Sequence, residues 1–259
     1  MAPAAFLSHG SPMIALEKSD YGDFLDGLPR TWPKVRSLVV FSAHWESAVQ
    51  MVSAVEQYDT IHDFGGFPDE LYALRYPAPG NGNLALKIHG VLGEAGVPST
   101  VERMRGLDHG AWTLLKRLYP EADMPVVEMS VNARISPREQ FRVGQALAGL
   151  TDEDVLVLGS GVTVHNFQLL SHAHDVALKE KVHAFEEWLQ ARLVAWDLEA
   201  LFDYRTQAPN ADLAVPLQGT EHMAPLFYAM GACGSPEAVR VLHESWMWDV
   251  MTNTAYQFD

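Results

Sequence analysis

The alternation of short apolar runs with stretches of helical periodicity constrains this chain more than any other feature. Ala4–Leu7, Ser37–Ser42, Val49–Val55, Val126–Met129, Val155–Leu158 and Ala238–Leu242 read as buried strands. Between them, Leu84, Ile88 and Val91 recur at helical spacing, and Leu178, Val182, Phe185, Leu189 and Leu193 continue such a spacing over several turns. A further helix is predicted after Ser136, with Pro137 at its first position and Glu139 in its first turn. Strands alternating with helices imply βα units, hence an α/β fold with a mainly parallel or mixed central sheet flanked by helices. Trp246 to Phe258, where Thr, Tyr and Phe interleave with polar residues, reads as an antiparallel edge strand. No Gly/Ser linker, low-complexity tract or repeat interrupts the pattern, so residues 1–259 read as one domain.

Composition excludes several classes of partner. With 18 Lys plus Arg against 33 Asp plus Glu, the formal charge is −15, and nucleic acid is not an expected ligand. No apolar run reaches the roughly 18–20 residues needed to cross a bilayer. The stretch Met1 to His9 has no basic region and is too short in apolar residues for a signal peptide. The lone cysteine, Cys233, rules out an intrachain disulfide, and a cytoplasmic protein is expected.

The 11 histidines carry the chemical information. His9 follows the first strand in Phe6-Leu7-Ser8-His9, His44 follows the second in Phe41-Ser42-Ala43-His44, and His165 follows Val155–Leu158 after a Gly-Ser-Gly turn. In open α/β sheets ligands bind beyond the carboxyl ends of the strands, so three imidazoles delivered there predict a metal site at that edge. His222, in Thr220-Glu221-His222-Met223, is a fourth candidate, placed in the first turn of a helix that Thr220 could cap. The positive helix end would keep it neutral and able to bind metal. His109, beside Asp108 and ahead of a helix expected over Trp112–Leu118, suits a general acid/base or a donor to a bound oxygen species. It equally suits a plain turn residue. His62 lies in a segment of glycines and aromatics that resembles a binding loop, with a solvated loop residue as the alternative. His172, His174, His89, His183 and His243 read as surface residues. Gly159-Ser160-Gly161 lacks the flanks of a phosphate loop or nucleophile elbow, and nothing around Cys233 suggests an activated thiolate.

Taken in order, Leu7-Ser-His9-Gly10-Ser11-Pro12, Ser42-Ala-His44-Trp45, Ile61-His62-Asp63-Phe64-Gly65-Gly66-Phe67-Pro68, Tyr76-Pro-Ala-Pro79-Gly80, Asp108-His109-Gly110, Val164-His165-Asn166 and Glu221-His222 form a recognisable set. The chain resembles the 4,5-DOPA extradiol dioxygenase-like family, within the class III extradiol ring-cleaving dioxygenases related to protocatechuate 4,5-dioxygenase β subunits. The resemblance spans almost the whole chain.

It implies one divalent metal held at His9, His44 and His222, with His165 beside them as a further ligand or the acid/base. It also implies His109 as a catalytic residue hydrogen-bonding substrate or oxygen, and His62 near the pocket mouth as a substrate contact. The implied partners are a small catechol and O2, opened to a muconic semialdehyde, with no organic cofactor. An all-histidine site departs from the two-histidine, one-carboxylate set of many non-haem Fe(II) oxygenases and leaves Fe(II) or Zn(II) as occupant. Two other readings of the same residues are a zinc-dependent hydrolase and a catalytically silent metal-binding scaffold. For an amino-acid catechol, Arg75, Arg105 and Arg134 are the carboxylate partners to consider.

Overall fold

The computed structural model describes residues 2–259. Its strands are β1 (Ala4–Ser8), β2 (Ser37–Glu46), β3 (Gln50–Ser53), β4 (Ser99–Glu102), β5 (Val126–Val131), β6 (Val155–Gly161), β7 (Val239–Met247) and β8 (Met251–Phe258). They form one sheet in the order β4-β3-β5-β2-β6-β1-β8-β7. The four central strands β5, β2, β6 and β1 are mutually parallel, as the alternating pattern requires. Around them β3 runs antiparallel to β5, and β8 antiparallel to β1 and β7. The mixed α/β sheet is therefore as expected, with two differences. The half-exposed β4 carries no apolar run and is not legible from pattern. The terminal strand β8 is not the edge: it is buried between β1 and β7, and β7, which takes in most of the run 238–242 expected to be buried, is instead the half-exposed edge.

Both faces of the central strands are covered, which explains why they read as continuous apolar runs. Phe6, Val39, Phe41 and Val157 enter one core; Leu7, Leu38, Val40 and Leu158 enter the other. The second face packs against α1 (Asp20–Gly27), α2 (Asp69–Ala73) and, further along the chain, the helix over His109–Leu118. With α3 assigned to Gly82–Glu94, that helix is α4. The first face packs against α3, α5 (Pro137–Gln145), α6 (Val176–Val194), the short turns α7 (Leu198–Phe202), α8 (Tyr204–Gln207) and α9 (Ala211–Ala214), and α10 (Ala224–Ala232). Each fully buried Phe or Leu contributes roughly 1.5–3 kcal/mol, so these two layers fix the strand order and register.

Helix starts follow their caps. Ser136 and Glu139 form a reciprocal capping box on α5, with Pro137 at its start, as the sequence predicts. Asp108 caps α4 through Ala111 N–H, so this helix begins at His109, three residues before the expected Trp112. Thr220 does not cap α10; residues Thr220–His222 form a separate 3-10 turn with no side-chain cap, and α10 begins at Ala224. Among the described residues no helix is long and apolar enough to cross a membrane.

Candidate metal centre and its cavity

Sheet register brings the strand-end histidines together. Leu7 and Ser42 both pair with Ser160 on β6, so His9 and His44 leave the sheet at nearly the same level. Between Phe41 and Glu46 the pairing of β2 with β5 slips, and His44 sits in this irregular stretch. Such irregularities re-aim side chains next to sites. His222 arrives from the far side of β6, and the glycines of that strand allow its approach. A Cβ on Gly161 would lie 2.1 Å from the His222 carbonyl oxygen, and one on Gly159 only 2.3 Å from that of Pro225. Gly159-Ser160-Gly161 is therefore a surface for close backbone approach.

Ligand nitrogens of His9, His44 and His222 all lie within 4.8 Å of one another, and the Nε2 atoms of His9 and His44 are 3.1 Å apart. Hydrogen bonds select the tautomers. Ser160 Oγ donates to the Gly110 carbonyl at 2.6 Å, spending its only proton. It must then accept from His9 Nδ1, 3.1 Å away, which leaves a lone pair on His9 Nε2. Likewise the Glu221 carboxylate accepts from His222 Nδ1 at 2.9 Å. Among the described residues, the buried Nε2 of His222 has no hydrogen-bond partner. Buried polar atoms are rarely left so. The donor set fits a divalent cation: neutral imidazoles, two of them oriented through Nδ1, with a buried Nε2 unsatisfied.

Burial holds these rings neutral. It pushes His44 down to about 4, with His109 adding to the shift and Asp108 and Asp63 opposing it. His9 and His222 are also pushed well below the ordinary imidazole value, by burial first and by the surrounding histidines second.

His165 lies outside this group of three. Its ring stacks on that of His222 at 3.7 Å and 11°, and burial, reinforced by His222, lowers it to about 2. His109 packs against His44 with ring centroids 3.8 Å apart. The carboxylate that holds His109 is Asp63, not its neighbour Asp108. Asp63 Oδ1 accepts from the His109 backbone N–H at 2.9 Å and from Nδ1 at 3.0 Å, leaving Nε2 for a bound molecule. Burial alone would raise the Asp63 carboxyl, but these bonds hold it at about 2. Asp108 instead accepts from Ser42 at 2.6 Å and from Arg105 at 3.0 Å, and Arg105 also reaches the His44 carbonyl. The start of α4 is thereby tied to the irregular end of β2. His44, Asp63 and His109 form a second compact group, but Asp63 Oδ1 is already shared by two N–H donors.

The histidines floor a cavity of about 640 Å³ walled by Phe64, Phe67, Met13, Met247, Trp248 and Met251. His62 does not line it. Its Nε2 is 3.1 Å from the Leu74 carbonyl, and its ring packs on Phe64, Tyr72 and Trp112 behind the wall. The expected binding segment does reach the cavity, through Asp63, Phe64 and Phe67. The residues missed from sequence are Asp63 and Ser160, whose signals were an acid beside His62 and a serine between two strand glycines. Among the remaining histidines, His89, His172 and His174 are exposed, whereas His183 stacks on Trp246 at 3.8 Å and His243 packs between Tyr21 and Phe24. Burial pushes the Cys233 thiol up to about 12, consistent with an inert side chain.

Comparison with known proteins agrees with this architecture. Residues 3–259 match the family described as the catalytic LigB subunit of aromatic ring-opening dioxygenase. The chain is 39% identical over 261 residues to the 4,5-DOPA dioxygenase extradiol of Beta vulgaris, covering 98% of this chain and 95% of that protein. It is 36% identical over 244 residues to the protein of the same name from Escherichia coli K12, covering 92% and 88%. The crystal structure of an uncharacterized protein from Escherichia coli K12 superposes with a TM-score of 0.84 at 31% identity, over 100% of both chains. With the family matched from the third residue to the last and relatives similar over nearly their full lengths, the chain belongs to the family of the catalytic LigB subunit of aromatic ring-opening dioxygenase.

Proposed function

We propose that this protein is a metal-dependent extradiol dioxygenase that opens the ring of a small catechol with O2, giving a muconic semialdehyde. One observation carries the reading. Imidazole nitrogens of His9, His44 and His222 converge at the floor of an aromatic-walled cavity, and the buried Nε2 of His222 has no other partner. In this reading the three imidazoles hold one divalent metal. When bound, the metal supplies Lewis acidity toward the diol oxygens and, as Fe(II), the redox activity toward O2 that Zn(II) lacks.

The chain's own residues do the rest. Phe64 and Phe67 exclude water from one side of the ring and set its plane. His109, its Nδ1–H fixed on Asp63, takes a phenolic proton at Nε2, and the Asp63 carboxylate stabilises the imidazolium that forms. His165, stacked on His222 and held neutral by burial, lines the cavity beside the three ligands as a neutral hydrogen-bond partner for the substrate. A positioned base such as His109 contributes roughly 10²–10⁴-fold in rate.

The test is oxygen uptake by anaerobically iron-loaded protein with a panel of catechols, followed at the yellow semialdehyde absorbance. Stoichiometric uptake with at least one catechol is expected, and His9→Ala, His44→Ala and His222→Ala should each lose bound metal. His109→Ala should keep the metal and lose most turnover. No uptake across the panel would overturn the reading, and product release without oxygen would point to hydrolysis instead.

A further inference from the structure

Resting on the ring-opening reading above, we infer that Trp248 is a specificity-determining residue that packs against the ring substituent of a bound catechol. The indole belongs to the cavity wall and is still 55% exposed, which places it at the rim.

The backbone beneath it is the first observation. β7 and β8 are joined by a turn in which the Val250 N–H donates to the Met247 carbonyl at 3.2 Å, with Trp248 at φ 51° and Asp249 at φ 59°. Gly, Asn and Asp dominate such turn positions, and a bulky side chain at positive φ is an outlier. Conformations of this kind persist only where the surroundings fix them, and they gather at ligand-binding surfaces. Here Asp249 is held by Lys179 of α6 at 2.5 Å. Met247 and Met251, on either side of the turn, line the same cavity as Trp248.

The second observation is that the indole is uncommitted. Of the other aromatic rings in the wall, Phe64 packs on Phe67 and His109, and Phe167 packs on His165. Among the described residues Trp248 pairs with no ring and its N–H makes no hydrogen bond, whereas Trp246 stacks on His183 and donates to Glu244 at 3.2 Å. A rigid aromatic face with no protein partner, beside a cavity, is a surface for a ligand. The diol belongs at the histidine floor, so the part of the molecule that meets the rim is the part remote from the diol. Arg75, Arg105 and Arg134 do not line the cavity, so among the candidates for meeting a ring substituent Trp248 is the one the wall presents.

Anaerobic calorimetry on zinc-loaded protein tests this by comparing catechol with 4-butylcatechol in the parent, Trp248→Phe and Trp248→Gly. Glycine removes the ring and relieves the positive φ, so the melting temperature of Trp248→Gly should be no lower than the parent's. The dissociation constant of 4-butylcatechol should rise roughly four- to fifteenfold in Trp248→Gly, the equivalent of one to two buried methylenes, while that of catechol changes by less than about twofold. Trp248→Phe should restore most of the difference. Fluorescence gives a direct readout of contact. The other six tryptophans are buried or half-buried, so bound 4-butylcatechol should shield the parent's emission from acrylamide, and Trp248→Phe should abolish that protection.

Equal losses for both ligands in Trp248→Gly would make Trp248 a structural residue and overturn the inference. An unchanged affinity for 4-butylcatechol, or acrylamide quenching indifferent to bound ligand, would overturn it too. If neither catechol binds the parent, the ring-opening reading falls and the inference with it. Binding without oxygen uptake by the iron-loaded protein would overturn the dioxygenase reading alone, because the calorimetric comparison still decides the role of Trp248.

Discussion

Ser160→Ala isolates the tautomer logic of the candidate metal centre. Ser160 is fully buried; it donates to the Gly110 carbonyl at 2.6 Å and accepts from His9 Nδ1 at 3.1 Å. Alanine leaves a buried donor and a buried acceptor unpaired, each worth about 1–3 kcal/mol, so a stability loss of roughly 2–6 kcal/mol is expected. The effect on the site is more specific. Without an acceptor on Nδ1, His9 no longer prefers the tautomer that presents its Nε2 lone pair beside His44. Deleting such an orienting partner typically weakens metal binding by roughly 10–100-fold. Competition of Zn(II) between the protein and a chromophoric chelator measures this directly. Thr113→Val is the control, because Thr113 is equally buried and donates to the His109 carbonyl without touching a ligand ring. Expected are near-normal affinity in Thr113→Val and at least tenfold loss in Ser160→Ala. Equal losses in both variants, or an affinity in Ser160→Ala within twofold of the parent, would refute the role assigned to Ser160.

Asp63→Asn keeps an acceptor for both His109 N–H groups but removes the charge, so kcat should drop by roughly 10–100-fold with metal content unchanged. Metal lost together with turnover would instead place Asp63 among the ligands. Gly161→Ala forces a Cβ to within 2.1 Å of the His222 carbonyl and should abolish stoichiometric metal binding, whereas Gly90→Ala, in open space on α3, should stabilise by about 0.5–1 kcal/mol; thermal melts and metal analysis of both check this. In metal-free protein, His44 titrates near 4 when folded and near 6.5 when unfolded, so its contribution is full above pH 6.5 and is lost as pH falls toward 4. The loss is on the order of 3 kcal/mol; urea melts at pH 7, 5 and 4 should show it, and His44→Gln should flatten it. Glu186 has the opposite sign: burial raises its carboxyl to about 7, so stability falls as pH rises from 4.5 to 7, and Glu186→Gln should remove that slope in the same melts.

The parts of the fold legible in the sequence are those where one physical rule acts alone. β1, β2, β5 and β6 are buried on both faces, so burial leaves continuous apolar runs that pattern recognises. The α5 start is written in a local motif, Ser136-Pro137-Arg138-Glu139, and needs no tertiary information. β4, with sequence Ser-Thr-Val-Glu and half-exposed residues, carries no burial signal. The place of β8 could not be read because strand order is a long-range property: Tyr256 and Phe258 say that the strand is buried, not which neighbours bury it.

The same division runs through the site. His9 and His44 were legible because they follow parallel strands, and chain direction alone then puts them on one edge. What the sequence withheld is the partner of each ring. Ser160 lies 151 residues from His9 and Asp63 lies 46 from His109, whereas the nearest acid in sequence, Asp108, serves β2 and α4 instead. His62 shows the cost of a one-residue offset. The segment does enter the cavity, yet its backbone turns Asp63 and Phe64 inward and leaves His62 on a carbonyl behind them. These partners matter because a neutral imidazole offers one donor and one acceptor. At His9, His222 and His109 the donor is spent on Ser160, Glu221 and Asp63. The nitrogens left over at His9 and His222 face His44 in a space that burial keeps unprotonated. A proton is disfavoured there, and among the described residues one hydrogen bond, between His9 and His44, links these three rings. A divalent cation satisfies all three at once, which is the physical reason to search for metal before searching for substrate.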